Sequence, residues 1–377
     1  MKKKIGVATF TGQWPLNYGS ALQTTALQWL LKEYGYDVES VTIYLGAPFR
    51  RFHRINRFYD RWNVLGKEWV KTFFSFRSFF KKNKIKLGGK SGEYPSDIYA
   101  SKHATRYDIL CCGSDAIWKR MYIRPFFLWD YDSVHIKPRF SYAASMLTGE
   151  FNTLHIAALN RFDGISVREE KTRDILSDFT EKEISVVLDP TLTIDEEYWN
   201  RAASRRCISE PYLLCYILDT PEKHYINVKD IARKHGISRI VFINTDFIDK
   251  AVRSFSYYHG EDYKGTVGPS RFLSLFKYAD VICTDSFHGV CFSIVFRHQF
   301  YILIRDDLGI DNEKTYDYRL TDLLKRLSLG DRFVKRNADI NAVKDICWDE
   351  VETSLKSERE RSREYLSGIL KTCNDKV

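Results

Sequence analysis

Apolar runs of strand length alternate along this chain with segments in which apolar residues recur at helical spacing. Lys4 to Phe10 predicts the first strand, and a polar loop that contains a glycine follows from Thr11 to Ser20. Ala21 to Glu33 predicts a helix that ends before Gly35. Further strands are predicted at Val38 to Tyr44, Tyr107 to Cys112, Phe140 to Ala144, Gly164 to Val167 and Ser185 to Leu188. Helices are predicted between most of these strands, as in βαβ units.

A second alternating series begins after Asp189-Pro190 and a polar stretch that runs through Glu210. It predicts strands at Tyr212 to Leu218, Arg239 to Ile243, Asp280 to Cys283 and Gln299 to Ile304. The helices of this series are predicted at Glu222 to His235, Ser270 to Tyr278 and Gly289 to Phe296. We therefore expect two doubly wound, Rossmann-like α/β domains, residues 1–190 and 191–345, whose strand ends face a central cleft. A polar helix in residues 346–377 is expected to pack back on the first domain.

Composition agrees with a folded protein of two moderate domains. The chain has 377 residues, of which 44% are hydrophobic and 15% aromatic. Its apolar runs are too short to span a bilayer, and Met1-Lys2-Lys3-Lys4 leads into the first strand rather than a signal peptide. Eight cysteines without Cys-x-x-Cys spacing suit reduced thiols in a cytoplasm, and scattered histidines give no metal-ligand cluster. We expect a cytoplasmic protein without a metal.

Positive charge is concentrated in one segment. Arg50 to Lys86 carries twelve Lys and Arg against two acids, a local net charge of +10, whereas the whole chain carries +9. Ten aromatic residues are interleaved, largely at helical spacing, which predicts one or two amphipathic helices with an apolar and a cationic face. Such helices lie in membrane interfaces, where each cation near an anionic surface contributes about 1 kcal/mol. The predicted membrane residues are Arg50, Arg51, Arg54, Arg57, Arg61, Trp62 and Trp69.

Another interpretation of this segment is an excursion that packs its aromatic residues on the first domain and leaves its arginines at the surface. No recognised nucleic-acid-binding motif accompanies the charge, so we expect no nucleic acid partner.

The stretch Val-Ile-Cys-Thr-Asp-Ser-Phe-His-Gly at residues 281–289 is a strand that breaks at a small polar turn before an apolar helix. Free backbone N–H groups at the start of a helix can hold an anion. His288 lies beside them, and an imidazole titrates near neutral pH, as phosphate binding or proton transfer requires. A core histidine in an ordinary α/β domain is the alternative.

Six segments together resemble the polysaccharide pyruvyl transferase family, in the family's order and over residues 5 to about 330. They are Asn17-Tyr18-Gly19-Ser20-Ala21-Leu22-Gln23, Gly113-Ser114-Asp115-Ala116-Ile117-Trp118, Ser141-Tyr142-Ala143-Ala144-Ser145, Ser166-Val167-Arg168-Glu169, Leu188-Asp189-Pro190-Thr191 and Thr284-Asp285-Ser286-Phe287-His288-Gly289. The resemblance implies a GT-B-like fold and a phosphoenolpyruvate-dependent transferase for polysaccharide or capsule biosynthesis. The product would be a pyruvate ketal on two hydroxyls of a sugar, and phosphoenolpyruvate would be a substrate, with no cofactor.

The resemblance also implies roles for single residues. The donor would be held by Arg168, Ser286, Phe287, His288 and Gly289, with Arg168 and His288 catalytic. A guanidinium suits a carboxylate or phosphate because both can accept two parallel hydrogen bonds, although Arg168 could instead pair with Glu169 or Glu170. As an imidazolium, His288 could protonate the enol methylene or the departing phosphate.

The first domain would form the acceptor side, through Asn17, Tyr18, Gly19, Ser20, Asp115 and Trp118. The first four of these could equally be a tight turn, and Trp118 could belong to the core. Asp115 and Asp285 are the candidate bases for the sugar hydroxyl, although Asp285 could simply form a turn. The acceptor would be an oligosaccharide on a polyprenyl diphosphate, which places the enzyme peripherally on the inner face of the cytoplasmic membrane. A GT-B glycosyltransferase that uses a nucleotide sugar and a non-enzymatic membrane scaffold are the other hypotheses.

Overall fold

Two parallel sheets carry the fold in the computed structural model, which describes residues 2–12, 16–41, 67–88, 104–118, 125–146, 153–218, 221–243, 261–262, 266–304, 318–335 and 338–377. The strands of the first sheet are β1 (Lys4–Ala8), β2 (Asp37–Val41), β3 (Lys86–Leu87), β4 (Ile109–Asp115), β5 (Arg139–Ala144), β6 (Ile165–Val167) and β7 (Ile184–Val186). Those of the second are β8 (Leu213–Tyr216), β9 (Ile240–Phe242), β10 (Glu261–Asp262), β11 (Val281–Thr284), β12 (Gln299–Leu303) and β13 (Phe333–Val334).

The helices in the described residues connect these strands. They are α1 (Tyr18–Glu33), α2 (Lys67–Lys82), α3 (Pro125–Leu128), α4 (Thr153–Leu159), α5 (Glu170–Ser177), α6 (Pro190–Thr193), α7 (Glu196–Ala202), α8 (Tyr225–Lys234), α9 (Pro269–Lys277), α10 (Phe287–Val295), α11 (Tyr318–Arg326) and α12 (Trp348–Asn374). Short 3₁₀ turns occur at Asp132–Val134, Pro221–His224 and Ile340–Ala342.

Each sheet reverses its strand order at one point. The first runs β3-β2-β1-β4-β5-β6-β7, and the second runs β10-β9-β8-β11-β12-β13. The reversal lies between β1 and β4 in the first sheet and between β8 and β11 in the second, where both pairs are parallel. In open α/β sheets, ligands bind outside the carboxyl ends of the strands at such a switch point. The fold therefore indicates one candidate location in each sheet.

The described residues form two compact units. One falls within residues 1–61, 80–194 and 356–377, and the other within residues 62–79 and 195–355. In the first unit the end of α12 packs on the sheet, where Tyr365 donates a hydrogen bond to the Ser141 carbonyl at 2.9 Å. The Leu188 N–H donates to Ser362 Oγ at 2.9 Å. Residues 67–79, expected as part of an insertion in the first domain, fall in the second unit.

Every strand expected from the sequence is present, which confirms the α/β fold with two parallel sheets, although several begin or end a few residues differently. Helix α1 begins at Tyr18 and not at Ala21, because Asn17 caps it: Asn17 Oδ1 accepts from the Ser20 N–H at 2.9 Å. The two helices α6 and α7 replace part of the polar crossover expected after Pro190. Asp189 caps α6, and a proline suits the first turn of a helix because that N–H has no helical partner.

Candidate functional site

At the switch point of the first sheet, the start of α1 meets the end of β4. Ser20 Oγ donates a hydrogen bond to Asp115 Oδ2 at 2.8 Å, and the Ala116 N–H donates to Oδ1 at 2.8 Å. Asn17, Tyr18, Gly19, Ser20 and Asp115, which the sequence assigned to one group, thus lie on two neighbouring elements of one unit. Tyr18 is buried, so its side chain belongs to the core around α1. The backbone of this region requires a glycine at Gly12, because φ there is +66° and a Cβ would clash with the Asn17 carbonyl.

Asp115 has an uncommon backbone conformation, with φ at +83°. Its carbonyl accepts hydrogen bonds from the Ser145 N–H at 3.0 Å and the Ile117 N–H at 2.8 Å. Two residues earlier, Gly113 has φ at +124°, and a side chain there would clash with the Tyr142 carbonyl. The surrounding backbone therefore holds Asp115 in this conformation.

Arg168 lies in a buried ion-pair network at the end of β6. Its Nε donates to Glu169 Oε1 at 3.0 Å, and its Nη1 donates to Asp189 Oδ2 at 2.9 Å. Burial disfavours the cation, but the carboxylates of Glu169, Asp189 and Asp115 together raise the pKa of Arg168. The pairing with Glu169, which the sequence left as an alternative to donor binding, is present. A donor carboxylate that binds Arg168 would compete with two carboxylates already in place.

Asp189 joins three of the six recognised segments. Its Oδ2 also accepts from Ser114 Oγ at 3.0 Å, and its Oδ1 accepts from the Thr191 N–H at 3.0 Å and from Thr191 Oγ1 at 2.6 Å. Sequence reasoning did not single out Asp189 or Ser114, although both belong to segments that carried the resemblance. Membership of those segments was the only signal available for them.

Trp118 belongs to the core. Its side chain has no exposed surface, and its Nε1 donates to the Phe127 carbonyl at 3.1 Å. It packs edge-on against Phe162, with ring centroids 6.1 Å apart. The expected stacking on a sugar does not fit this position, because neither face of the indole reaches solvent.

At the switch point of the second sheet, α10 begins directly after β11. Ser286 caps α10, and its Oγ accepts from the Gly289 N–H at 3.4 Å. Gly289 lies against β11, because a Cβ there would clash with Thr284 Oγ1. His288 is in the first turn of α10 and is 8% exposed, with the Phe287 ring 5.4 Å from its own. A histidine and a helix N-terminus thus lie together, as the sequence predicted.

Asp285 ties two strand ends of the second sheet together. Its Oδ1 accepts from the Leu218 N–H at 2.7 Å, across the switch point between β8 and β11. This hydrogen bond gives Asp285 a structural role, and its partner Leu218 lies on the neighbouring segment. Burial raises the pKa of the Tyr216 hydroxyl, and the nearby charge of Asp285 raises it further.

The basic aromatic segment is described only from residue 67 onwards. Arg50, Arg51, Arg54, Arg57, Arg61 and Trp62 lie outside the described residues, as does the side chain of Trp69. In α2, Phe76, Phe79 and Phe80 are buried, whereas Phe74 is 47% exposed. Lys71, Arg77, Lys81 and Lys82 are exposed. Most of the described aromatic rings of this part are buried against protein and could not enter a membrane, as the packing interpretation requires. The helix up to Phe79 nevertheless falls in the second unit and not in the first domain, where the packing was expected.

No group of His, Cys, Asp or Glu side chains in the described part of the chain is arranged to hold a metal ion. Within the same residues, no helix has the length and apolar character to cross a bilayer.

Comparisons with known proteins agree with this architecture. The model of the polysaccharide pyruvyl transferase family matches residues 17–307. The structure is similar to the UDP-GlcNAc 2-epimerase of Methanocaldococcus jannaschii, with 13% identity, 94% of this chain and 92% of that chain covered, and a TM-score of 0.51. A putative UDP-N-acetylglucosamine 2-epimerase from Listeria monocytogenes is similar too, with 10% identity, 97% and 91% covered, and a TM-score of 0.51. At such low identity the likeness shows the fold alone, and it confirms the GT-B-like architecture. Comparison with curated protein sequences gave no match.

Proposed function

Because the chain belongs to the polysaccharide pyruvyl transferase family over residues 17–307, we propose that it transfers pyruvate from phosphoenolpyruvate onto two hydroxyls of a sugar. The observation that carries this proposal is the start of α10, where His288 lies in the first turn of a helix that begins at a switch point. A helix N-terminus favours an anion through its dipole and its backbone N–H groups. A phosphate placed there is within reach of an imidazole.

The proposed reaction conserves atoms and charge. C3 of the enol takes up a proton, the oxygen of the first sugar hydroxyl bonds to C2, and that hydroxyl releases its proton. The C2–O bond to phosphate then breaks, which leaves an oxocarbenium-like C2 stabilised by the first sugar oxygen. The second hydroxyl oxygen bonds to C2, releases its proton and closes the ketal. One of these protons balances the proton on C3 and the other balances the phosphate that departs. As an imidazolium, His288 would donate to C3 or to the phosphate oxygen.

The assignment of the donor carboxylate to Arg168 rests on the resemblance and on the chemistry of guanidinium groups. For this role Arg168 would exchange Glu169 or Asp189 for the carboxylate of the donor, since its Nε and Nη1 both have partners. Ser286 and Gly289 would supply hydroxyl and backbone contacts to the phosphate once their mutual hydrogen bond opens.

The acceptor proposed is a lipid-linked oligosaccharide at the cytoplasmic face of a membrane. What supports this location is the cationic surface of α2, where Lys71, Arg77, Lys81 and Lys82 are exposed. The family implies a sugar or polysaccharide acceptor, and the lipid carrier is our extension of it.

A comparison of ligands by thermal shift tests the donor. Phosphoenolpyruvate should raise the melting temperature, because a ligand at a hundredfold excess over its Kd stabilises the folded state by about 2.7 kcal/mol. His288→Ala should abolish this shift. His298→Ala is the matched control, since His298 is a half-buried imidazole of the second unit, and its Nε2 lies 3.2 Å from the Lys277 carbonyl.

Arg168→Lys tests the carboxylate contact and keeps a cation between Glu169 and Asp189. If a nucleotide sugar stabilises the protein and phosphoenolpyruvate does not, the glycosyltransferase hypothesis replaces the proposal. Mass spectrometry of the acceptor should show the gain of one pyruvate ketal.

A further inference from the structure

Two carboxylates occupy equivalent places in the two sheets. Asp115 ends β4, the strand beside β1, and Asp285 follows β11, the strand beside β8. Each lies at the carboxyl end of a strand at a switch point, where catalytic groups of this architecture are found. Their hydrogen bonds differ, and this difference separates their roles.

Asp285 is occupied by the backbone. Its Oδ1 accepts from the Leu218 N–H at 2.7 Å, and the residue is almost fully buried. A buried N–H that loses its acceptor costs about 1–3 kcal/mol. Protonation or movement of Asp285 in each catalytic cycle would weaken this bond between the ends of β8 and β11. We therefore assign Asp285 to the structure of the second unit.

Asp115 is half-buried, and the described residues use only two of the roughly four acceptor positions of its carboxylate. One donor is the Ser20 hydroxyl, which α1 presents, and the other is the adjacent Ala116 N–H. The left-handed backbone at Asp115 costs energy, and such conformations cluster at functional sites. The carboxylate thus has a fixed orientation and acceptor capacity that remains for a ligand hydroxyl.

Two buried polar atoms have no hydrogen-bond partner among the described residues, and both belong to residues that bond the backbone of Ser20 or Asp115: Gln23 Oε1 and Ser145 Oγ. Gln23 cannot flip its amide without loss, because Nε2 donates to the Phe10 carbonyl at 2.8 Å and to the Ser20 carbonyl at 3.1 Å. The backbone N–H of Ser145 bonds the Asp115 carbonyl. Unsatisfied atoms are rare in a core and accept an ordered water or a ligand hydroxyl at low cost.

We infer that Asp115 is the base that takes the proton of the sugar hydroxyl, and that Ser20 is a positioning residue that holds the carboxylate. This inference rests on the proposed pyruvyl transfer. As the hydroxyl oxygen bonds to C2 of the donor, its O–H bond breaks and the proton passes to Asp115. The protonated carboxyl then returns the proton to solvent, and C3 of the donor receives its own proton from the acid of the reaction.

Asp115→Asn removes the base and keeps the size of the side chain. We expect turnover of phosphoenolpyruvate and a sugar acceptor to fall by about 10²–10⁴-fold, the usual contribution of positioned proton transfer. The melting-temperature shift given by phosphoenolpyruvate should stay as in the wild type. Asp285→Asn is the matched control: its amide oxygen can still accept from the Leu218 N–H, so turnover should stay within a few-fold of the wild type.

A second variant separates catalysis from structure. Asp115→Gly suits the φ of +83° and leaves space where the carboxylate was, so that added formate can take its place. Formate should restore part of the turnover of Asp115→Gly and none in Asp285→Gly. Ser20→Ala should lower kcat by roughly 10–100-fold, as expected for a hydrogen bond to a charged group, with little change in the KM for the donor, and Ser20→Thr should recover it.

The outcomes are distinguishable. Turnover of Asp115→Asn within a few-fold of the wild type, or no rescue of Asp115→Gly by formate, would overturn the inference. The proposed pyruvyl transfer would still stand in that case if phosphoenolpyruvate raises the melting temperature. A wild-type protein that neither binds phosphoenolpyruvate nor modifies a sugar would end the proposed function, and this inference with it.

Discussion

Among single residues, Arg168 shows how closely stability and chemistry are linked in the first unit. Its guanidinium balances Glu169 and Asp189, both fully buried. Arg168→Ala would leave two buried carboxylates without their cation, which typically costs about 3–5 kcal/mol. We expect a loss of this size in the free energy of unfolding, measured by urea denaturation. Arg173→Ala is the control: Arg173 pairs with Asp174 at the surface, and its loss should cost no more than about 1 kcal/mol.

A loss at Arg168 no larger than that at Arg173 would show that the carboxylates find other donors. It would also make Arg168→Ala usable in donor-binding experiments, for which Arg168→Lys is otherwise preferable.

His288 gives a second prediction at this scale. His288→Gln keeps a polar side chain in the first turn of α10 but cannot donate a proton as an acid. We expect turnover to fall by about 10²–10⁴-fold, while the Kd for phosphoenolpyruvate rises far less. Phosphate release and the mass gain of the acceptor, measured together, should fall in parallel. Turnover close to that of the wild type would leave His288 as a phosphate ligand at most.

The sequence identified the candidate site residues better than it identified the residues to which they bond. His288, Ser286 and Asp115 stand out because polar residues there directly follow apolar strands. Of the two partners of Arg168, the adjacent Glu169 could be named from the sequence, whereas Asp189 lies 21 residues away and only the fold brings it to the guanidinium. Trp118 was ambiguous for a similar reason, since one residue type serves both a sugar platform and a core.

Among the elements, the strands of three or more residues were predictable, and the two-residue strands were not. β3, β10 and β13 each have two residues, too few to show any periodicity, and exist because a neighbouring strand offers hydrogen bonds. The start of α1 was placed three residues late because Asn, Gly and Ser are typical of turns. In this chain the asparagine caps a helix that already includes the glycine and the serine.

The contact between α10 and β11 gives a prediction at the same scale. A Cβ at Gly289 would clash with Thr284 Oγ1, so Gly289→Ala should push the first turn of α10 away from the strand. We expect weaker stabilisation by phosphoenolpyruvate and a lower melting temperature. Gly368→Ala is the control, because that glycine lies in α12 with open space around its Cβ position. Its substitution should stabilise the helix by up to about 1 kcal/mol, and equal effects of the two variants would show that α10 tolerates the shift.

At the scale of the whole molecule, one property depends on charge rather than on fold. Arg50 to Lys86 carries a net charge of +10, which accounts for the positive excess of the chain. In α2 the buried phenylalanines cannot insert into lipid, whereas four cations are exposed. Attraction from this helix to a membrane would therefore be electrostatic, at about 1 kcal/mol per cation. The predicted contribution of the arginines from Arg50 to Arg61 stays a prediction.

We predict that the protein floats with anionic vesicles at low salt and is released as salt increases, because the Debye length falls from about 10 Å at 0.1 M to about 3 Å at 1 M. Two variants separate the sources of charge, one with Lys71, Arg77, Lys81 and Lys82 changed to Gln, the other with Arg50, Arg51, Arg54, Arg57 and Arg61 changed to Gln. Each should float less and keep its turnover on a short acceptor without a lipid. The charge-matched control changes four exposed lysines elsewhere to Gln, namely Lys171, Lys182, Lys356 and Lys371. Equal flotation of all the variants and the wild type would show that these cations only face solvent. Binding that survives 1 M salt would instead require apolar insertion by residues outside α2.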